Sequence, residues 1–191
     1  NLWGFQDKGI FQALYNSRVQ IPVSDGAPIE ISQSMKMDGV RYLSTSIGAS
    51  NKWAIKNSNR ALYFIDTANN DIRMMDEGLT NITETLGFKT WGAKSITTPK
   101  EYDLRNNRDA FVLNVDSINN DVYFNSHNNS LNLSESLNLF ESFHSHEDIP
   151  WMFTVNNKFL SIKTGAEGST IWENNQGAYN SYYGHKQPTY V

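Results

Sequence analysis

Two stretches of the chain carry nearly the same text fifty residues apart. Phe64-Ile65-Asp66-Thr67-Ala68-Asn69-Asn70-Asp71-Ile72-Arg73 is echoed by Asn114-Val115-Asp116-Ser117-Ile118-Asn119-Asn120-Asp121-Val122-Tyr123. After one inserted residue the echo resumes, with Ile82-Thr83-Glu84-Thr85-Leu86 against Leu133-Ser134-Glu135-Ser136-Leu137. A unit used again must bury one face against its neighbour. A period of this size predicts tandem antiparallel β-sheets, of which the β-propeller is the best attested form. Most of the sequence signal is then spent on making blades, which argues against an enzyme.

Each part of the repeated segment has a structural job. Asp66 and Asp116 are placed to accept hydrogen bonds from backbone N–H groups in a turn. Asn70 and Asn120 suit the left-handed angles of the bend, and Asp71 and Asp121 open the next strand. The chain has 23 Asn residues. Pairs of them stand at 69–70, 106–107, 119–120, 128–129, 156–157 and 174–175. Turn chemistry this dense predicts many short strands.

The reading along the chain is all-β, with blade-like units making a partial or composite propeller and little helix. Residues 1–48 form an N-terminal segment. In it Val19–Val23 and Pro28–Ile31 make a hairpin about Ser24-Asp25-Gly26, and Asp38-Gly39 marks a turn before Val40–Ser44. Phe11–Asn16 suits a short helical turn. Residues 49–191 hold two to three units, at about 51–92, 108–143 and 150–191. The first has strands at Lys52–Ile55, Ala61–Asp66, Asp71–Met75 and Leu79–Thr83, with a turn of helix within Glu84–Trp91. The second has strands at Ala110–Asp116, Asp121–Asn125 and Leu131–Ser134. The third has Trp151–Val155, Lys158–Ile162 and Ser169–Glu173, with Asn156-Asn157 as a two-residue turn. Repeat-equivalent positions predict a core of Tyr63, Ile65, Ile72, Ile82, Leu86, Val115, Val122, Leu133 and Leu137. Three units are fewer than the roughly four to eight of a closed ring. The N-terminal part, a partner chain or further sequence is expected to complete it. The opening at Asn1 and the strand-like ending Pro188–Val191 suggest one segment of a longer polypeptide.

Composition removes several function classes. There is no cysteine, so disulfides and thiolate metal sites are excluded. The formal net charge is −4, unlike the basic face of a nucleic-acid groove. No apolar run approaches the roughly 18–20 residues of a membrane span.

Candidate chemistry is thin. Asp66, Asn70 and Asp71, like Asp116, Asn120 and Asp121, resemble a calcium loop in composition. The glycine and glutamate of the EF-hand spacing are absent, so the turn role is preferred. His144, His146, Glu147 and Asp148 form a cluster that reads as an exposed loop, and no metalloprotease helix motif accompanies it. Asp66, Asp116, Glu84 and Glu135 occupy repeat-equivalent positions. A glycosidase needs two carboxylates in different environments, so equivalence favours a structural role. No catalytic residue, cofactor or metal ligand is assigned. Most tryptophans of a repeat β protein fill gaps between sheets, while exposed aromatics anchor protein interfaces or stack on sugar rings; Trp3, Trp91, Trp172, Tyr182 and Tyr183 are the candidates for a protein interface.

A resemblance rests on two sets of phrases. One runs through Tyr15-Asn16-Ser17-Arg18, Asp25-Gly26-Ala27-Pro28-Ile29-Glu30-Ile31, Gly48-Ala49-Ser50-Asn51-Lys52-Trp53-Ala54-Ile55 and Leu62-Tyr63-Phe64-Ile65-Asp66. The other includes Leu133-Ser134-Glu135, Phe140-Glu141-Ser142-Phe143, Ile171-Trp172-Glu173-Asn174 and Tyr182-Tyr183-Gly184. Together they resemble the tail structural proteins of crAss-like and related short-tailed bacteriophages. The resemblance implies a virion structural component of the nozzle, ring or hub beneath the portal. It implies a homo-oligomeric ring, other tail and portal-proximal proteins as partners, DNA as passing cargo, no membrane and no catalysis. The virion, assembled in the host cytoplasm, is the implied location. The alternative is a carbohydrate-binding propeller or receptor-binding module, with a glycosidase further behind.

Overall fold

A computed structural model describes residues 2–15, 18–21, 29–32, 37–96, 111–126, 130–144, 151–165, 168–177, 181–182 and 185–186. Antiparallel strands dominate. Among the described residues helix is confined to one 3-10 turn at Lys52–Ala54 and two short α-helices, α1 (Ile82–Thr85) and α2 (Lys89–Ser95). Among the described residues no helix is long and apolar enough to cross a membrane.

Four sheets of three or four strands follow one another along the chain. The first joins β1 (Leu2–Gln6), β2 (Gly9–Tyr15) and β5 (Met37–Ser44) in the order β1-β2-β5. Between them β3 (Arg18–Ile21) and β4 (Ile29–Ser32) pair with each other, Ile21 opposite Ile29. The Ser24-Asp25-Gly26 segment that joins β3 to β4 lies outside the described residues. The second sheet is the meander β6 (Ile55–Asn57), β7 (Leu62–Asp66), β8 (Asp71–Met75) and β9 (Leu79–Asn81). The third is β10 (Val112–Asp116), β11 (Asp121–Asn125), β12 (Ser130–Ser134) and β13 (Leu139–Phe143). The fourth is β14 (Trp151–Val155), β15 (Lys158–Gly165) and β16 (Gly168–Glu173). A last two-residue ladder joins β17 (Ser181–Tyr182) to β18 (His185–Lys186).

Side-chain alternation packs the sheets face to face in chain order. Period 2 sends Tyr63, Ile65, Ile72 and Met74 to one side of the second sheet, and Phe64 and Met75 to the other. The first group meets Leu113, Val122, Phe124, Leu131, Leu133 and Phe140 of the third sheet in the largest core cluster. The second group meets Ile10, Trp3 and Phe5 of the first sheet, with the Phe5 and Phe64 rings 5.2 Å apart, edge to face. The far side of the third sheet presents Tyr123 to Met152 and Phe159 of the fourth, the Tyr123 and Phe159 rings stacked at 5.3 Å. β10 lies against both β6 and β14. Three sheets therefore approach most closely along their first strands, as blades do around an axis. The described residues form an open row of sheets, without a closed ring.

The repeat is conserved in register. Asp66 pairs with Asp71 and Asp116 with Asp121. Arg73 lies opposite Asn81, as Tyr123 lies opposite Asn132. The inserted residue falls in the next hairpin loop, between Met75 and Leu79 in one copy and Asn125 and Ser130 in the other. Equivalent strands hold different places, because β6 precedes the repeat in the second sheet while β13 follows it in the third.

Beyond that point the echo is one of sequence only. Asn81 caps α1, its side chain accepting from the Glu84 N–H at 3.1 Å, and the chain leaves the sheet. The Thr83 hydroxyl then accepts from the Ile72 N–H, where a strand carbonyl would otherwise serve. Asn132 instead stays in strand, accepting from the Ser142 N–H of β13 at 3.0 Å. Glu135–Asn138 consequently form a turn, and Leu137 is 63% exposed rather than buried. Leu86 and Val115 are partly buried against the core, while the other six predicted core positions are buried.

Three local expectations are corrected. Phe11–Tyr15 belongs to β2, whose ladders to β1 and β5 on both sides override any helical tendency. Asp38-Gly39 lies inside β5, where Gly39 pairs with Leu14 beside a register shift that a glycine accommodates. Lys52–Ala54 is a 3-10 turn capped by Asn51, with strand beginning only at Ile55. Sequence reading also missed β13, whose alternation of Leu139, Phe140, Glu141, Ser142 and Phe143 is interrupted by polar residues. Asn156 and Asn157 both have positive φ, 49° and 59°, as a two-residue hairpin turn requires. Every positive-φ residue other than glycine among the described residues is Asn.

Candidate functional site

The repeated turns put buried carboxylates at the same point of two hairpins. Asp66 and Asp116 are fully buried. Asp66 accepts from the Asn69 N–H at 3.3 Å and from the Asn69 amide at 2.7 Å. Asp116 accepts from the Ile118 and Asn119 N–H groups at 2.9 and 3.3 Å and from the Asn119 amide at 2.7 Å. Asn70 and Asn120 follow with φ near 60°. Gly92 of α2 rests on the first turn, where a Cβ would lie 2.5 Å from the Asn70 carbonyl oxygen.

Residue 73 makes the two sites unlike. The Arg73 guanidinium bonds Asp66 at 3.1 Å and Asp71 at 2.9 Å, and Asn81 adds a bond to Asp71 at 2.8 Å. Burial raises the Asp66 pKa, with the Asn69 bonds and Arg73 pulling it back. Tyr123 replaces Arg73 in the second copy and brings no cation. Burial, then the charges of Glu141 and Asp116, push Asp121 up to about 6, against one lowering bond from Ser134. The folded state thus holds a proton on Asp121 that the unfolded chain releases near the ordinary value of 3.8. Folded proton uptake exceeds unfolded uptake between those values, so this group's contribution falls as pH rises through 6. Asp121→Asn is expected to be more stable than the parent at pH 7–8 by about 1 kcal/mol, after allowance for solvent screening. The gain should fade by about pH 4, a crossover that urea midpoints across this range would read.

The acidic groups are arranged for hydrogen bonding. Among the described residues no three His, Asp or Glu side chains are grouped to hold a metal ion. Asp66→Ala and Asp116→Ala should each cost about 1–2 kcal/mol through unpaired turn donors. A chelator should leave the parent's melting temperature unchanged. A chelator-induced fall would instead reveal a cation at these turns.

Repeat equivalence did not give equivalent environments to the other carboxylates. Glu84 lies exposed on α1, 3.4 Å from Lys89. Glu135 is buried and accepts from the Ser58 hydroxyl at 2.6 Å, linking the third sheet to the connection before β7. Arg60 reinforces this link by donating to the Glu135 carbonyl at 2.9 Å. A second missed link is Asn114, whose side-chain oxygen accepts from the Met152 N–H at 2.9 Å and joins the third sheet to the fourth. No local pattern marks either partner, because each pair is distant in sequence.

His144 is half-buried against Tyr123, its ring 5.6 Å away and its Nε2 2.8 Å from the Ser142 hydroxyl. Burial lowers its pKa, opposed by Glu141. His146, Glu147 and Asp148 lie outside the described residues.

The aromatic candidates divide. Trp3 packs beside Ile10 and Phe64 between the first two sheets. Trp91 flanks the main core, 6.0 Å from Phe111 and 6.3 Å from Phe143. Trp172, on edge strand β16, donates its Nε1–H to the Thr170 hydroxyl at 2.9 Å. Tyr182 lies in β17 with its side chain outside the description, and Tyr183 lies outside the described residues. Trp53 and Trp151 meet edge to face at 4.6 Å.

Apolar surface gathers instead on the outer faces of the row. Register puts Leu2, Ala13 and Val40 beside Gly4, Phe11 and Tyr42 on the face of the first sheet away from the second. Leu2, Val40 and Tyr42 are exposed there. The outer face of the fourth sheet carries Phe153, Val155, Leu160, Ile162 and Ile171, with Ile171 66% exposed.

The family model described as Crassvirus muzzle protein matches residues 1–165. The chain is 40% identical over 185 residues to the muzzle protein of Bacteroides phage crAss001. That alignment covers 96% of the chain and 13% of the relative's length. The chain belongs to the Crassvirus muzzle protein family.

Proposed function

We propose that the chain is part of a virion structural protein of a crAss-like bacteriophage. It forms one sector of the tail's nozzle, ring or hub beneath the portal, walling the conduit through which DNA leaves. Membership of the muzzle family supports the virion role. The observation that carries the assembly is the row of sheets ending on two apolar faces. Each internal junction of the row is an apolar face-to-face contact. The same kind of surface at Tyr42 and Ile171 calls for another sheet, from a neighbouring copy or from tail and portal-proximal proteins. A net charge of −4 suits a wall past which DNA moves without being gripped. The role is passive and needs no cofactor.

Analytical ultracentrifugation over a wide concentration range tests this reading. Association should appear as concentration rises, through an interface of at least about 1,000 Å². Tyr42→Glu and Ile171→Asp should each weaken it with the monomer's fold retained. A monodisperse monomer throughout, with no binding to purified tail or portal proteins, would overturn the proposal.

A further inference from the structure

We propose that the free edge of β16 pairs antiparallel with β16 of a second copy of this chain, about a two-fold axis at Ile171. The fourth sheet stops one strand short of its neighbours. Among the described residues the second and third sheets have four strands and the fourth has three, with β16 at its margin. Of the last strands of the four sheets, β9 has three residues, and β5 and β13 meet their neighbours with shifts of register. β16 runs for six residues, Gly168–Glu173, in unbroken register with β15. Every residue of it except Trp172 is exposed. Natural edges are commonly blunted by shortness, bulges, proline or lysine, and this strand has none of these.

The ladder shows which groups reach the open edge. The Asn174 N–H donates to the Phe159 carbonyl at 2.8 Å, continuing the register that sets Glu173 opposite Leu160. Backbone groups of an antiparallel strand point alternately to its two sides. Gly168, Thr170 and Trp172 therefore share the direction of Asn174, toward β15. Ser169, Ile171 and Glu173 turn their N–H and C=O groups outward. Their side chains share the outer face of the sheet, where Ile171 is exposed.

This pattern is self-complementary. A two-fold axis through the sheet at Ile171 sets Ile171 against the partner's Ile171, and Ser169 against the partner's Glu173. Every outward N–H and C=O of β16 then meets its complement. An axis at Thr170 would instead set Glu173 opposite position 167, ahead of the strand. With the axis at Ile171 equal faces stay together, so the paired Ile171 side chains join Leu160 and Ile162 in one apolar surface. No like charges oppose each other. Glu173 is the one ionised side chain of the strand, it holds Lys158 at 2.7 Å, and a serine stands opposite. A second copy is thus the partner whose strand matches this edge in length, in the direction of its backbone groups and in charge. The contact is isologous and closes at two copies. It runs through a sheet edge, leaves the Leu2, Val40 and Tyr42 face open, and does not depend on the tail reading.

The test uses the Tyr42→Glu chain, in which the outer face of the first sheet is spoiled and association through β16 is read by itself. Sedimentation equilibrium should show monomer and dimer only, in the micromolar range. As dimer forms, amide hydrogen exchange at Ser169, Ile171 and Glu173 should slow at least about tenfold, while Thr170 and Trp172, already turned to β15, change little. Ile171→Pro keeps an apolar side chain and the ladder to β15 but removes the central outward N–H. It should weaken the dimer at least about tenfold, whereas Ile171→Val should leave it within about twofold. The pair is refuted if the Tyr42→Glu chain stays monomeric up to millimolar concentration, or if its oligomers exceed a dimer. It is refuted equally if the outward amides exchange alike in monomer and dimer, or if adding Ile171→Pro leaves dimerisation unchanged. The tail reading stands or falls separately, on binding to purified tail and portal proteins.

Discussion

Replacing Phe124 with alanine is expected to destabilise the protein by about 3–5 kcal/mol, more than any other single truncation in the core. Phe124 is fully buried on β11, at the junction of the second and third sheets. Its ring lies edge-on to Tyr63 at 6.4 Å and to Phe140 at 6.2 Å. Truncation removes the transfer energy of a whole ring and leaves a cavity that strands on both sides cannot close. Sheets fixed by their ladders relax poorly, so the cavity cost stays near its upper range. Val115 sits on the same face but is only partly buried, so Val115→Ala should cost less than half as much. Urea midpoints of both variants measure the difference. A Phe124→Ala protein as stable as the parent would show that the two sheets do not share this core.

Much of that junction was legible in the sequence. Tyr63, Ile65, Ile72 and Val122 are named by the repeat, because equivalent positions in a period-2 pattern face equivalent sides. The Asn pairs named their turns for a local reason. Asn is the residue that tolerates the left-handed angle, and the angle is set by the hairpin itself. What failed was any inference that carried the echo past the point of shared surroundings. Ile82-Thr83-Glu84-Thr85-Leu86 and Leu133-Ser134-Glu135-Ser136-Leu137 are near copies with different fates. One has an Asn cap and α2 beside it, and the other has β13 to pair with. Tertiary partners made the choice, and a single chain's local pattern does not record them.

The same limit applies to the polar positions. Asp66 and Asp116 were readable because their partners lie three residues away. The Arg73-to-Tyr123 exchange was visible too, but its effect on Asp121 depends on Glu141, brought in by a strand the pattern did not reveal. The outer apolar faces were hidden for another reason. Leu2, Tyr42 and Ile171 look like core residues in any alternating strand, and only the packed row shows that no described sheet covers them.

The second large effect is expected at Glu135, a position that the repeat assigned to structure without saying how. Its carboxyl is buried and is the hydrogen-bond partner of the Tyr63 hydroxyl across the junction. Burial, followed by the Glu135 charge and this bond, raises the Tyr63 pKa well above that of a free phenol. Glu135→Ala removes the acceptor. Ser58 can turn its single proton to the Ala61 carbonyl, already 3.0 Å away. Tyr63 is 1% exposed, so its hydroxyl has little access to solvent as a substitute. An unpaired hydroxyl in a dry core should therefore cost about 2–3 kcal/mol. Tyr63→Phe removes the stranded group while keeping the ring. The double variant Glu135→Ala with Tyr63→Phe should then be more stable than Glu135→Ala alone, and the cycle should show a coupling of about 1–2 kcal/mol. Strict additivity of the two substitutions would mean that the carboxyl and the phenol do not meet.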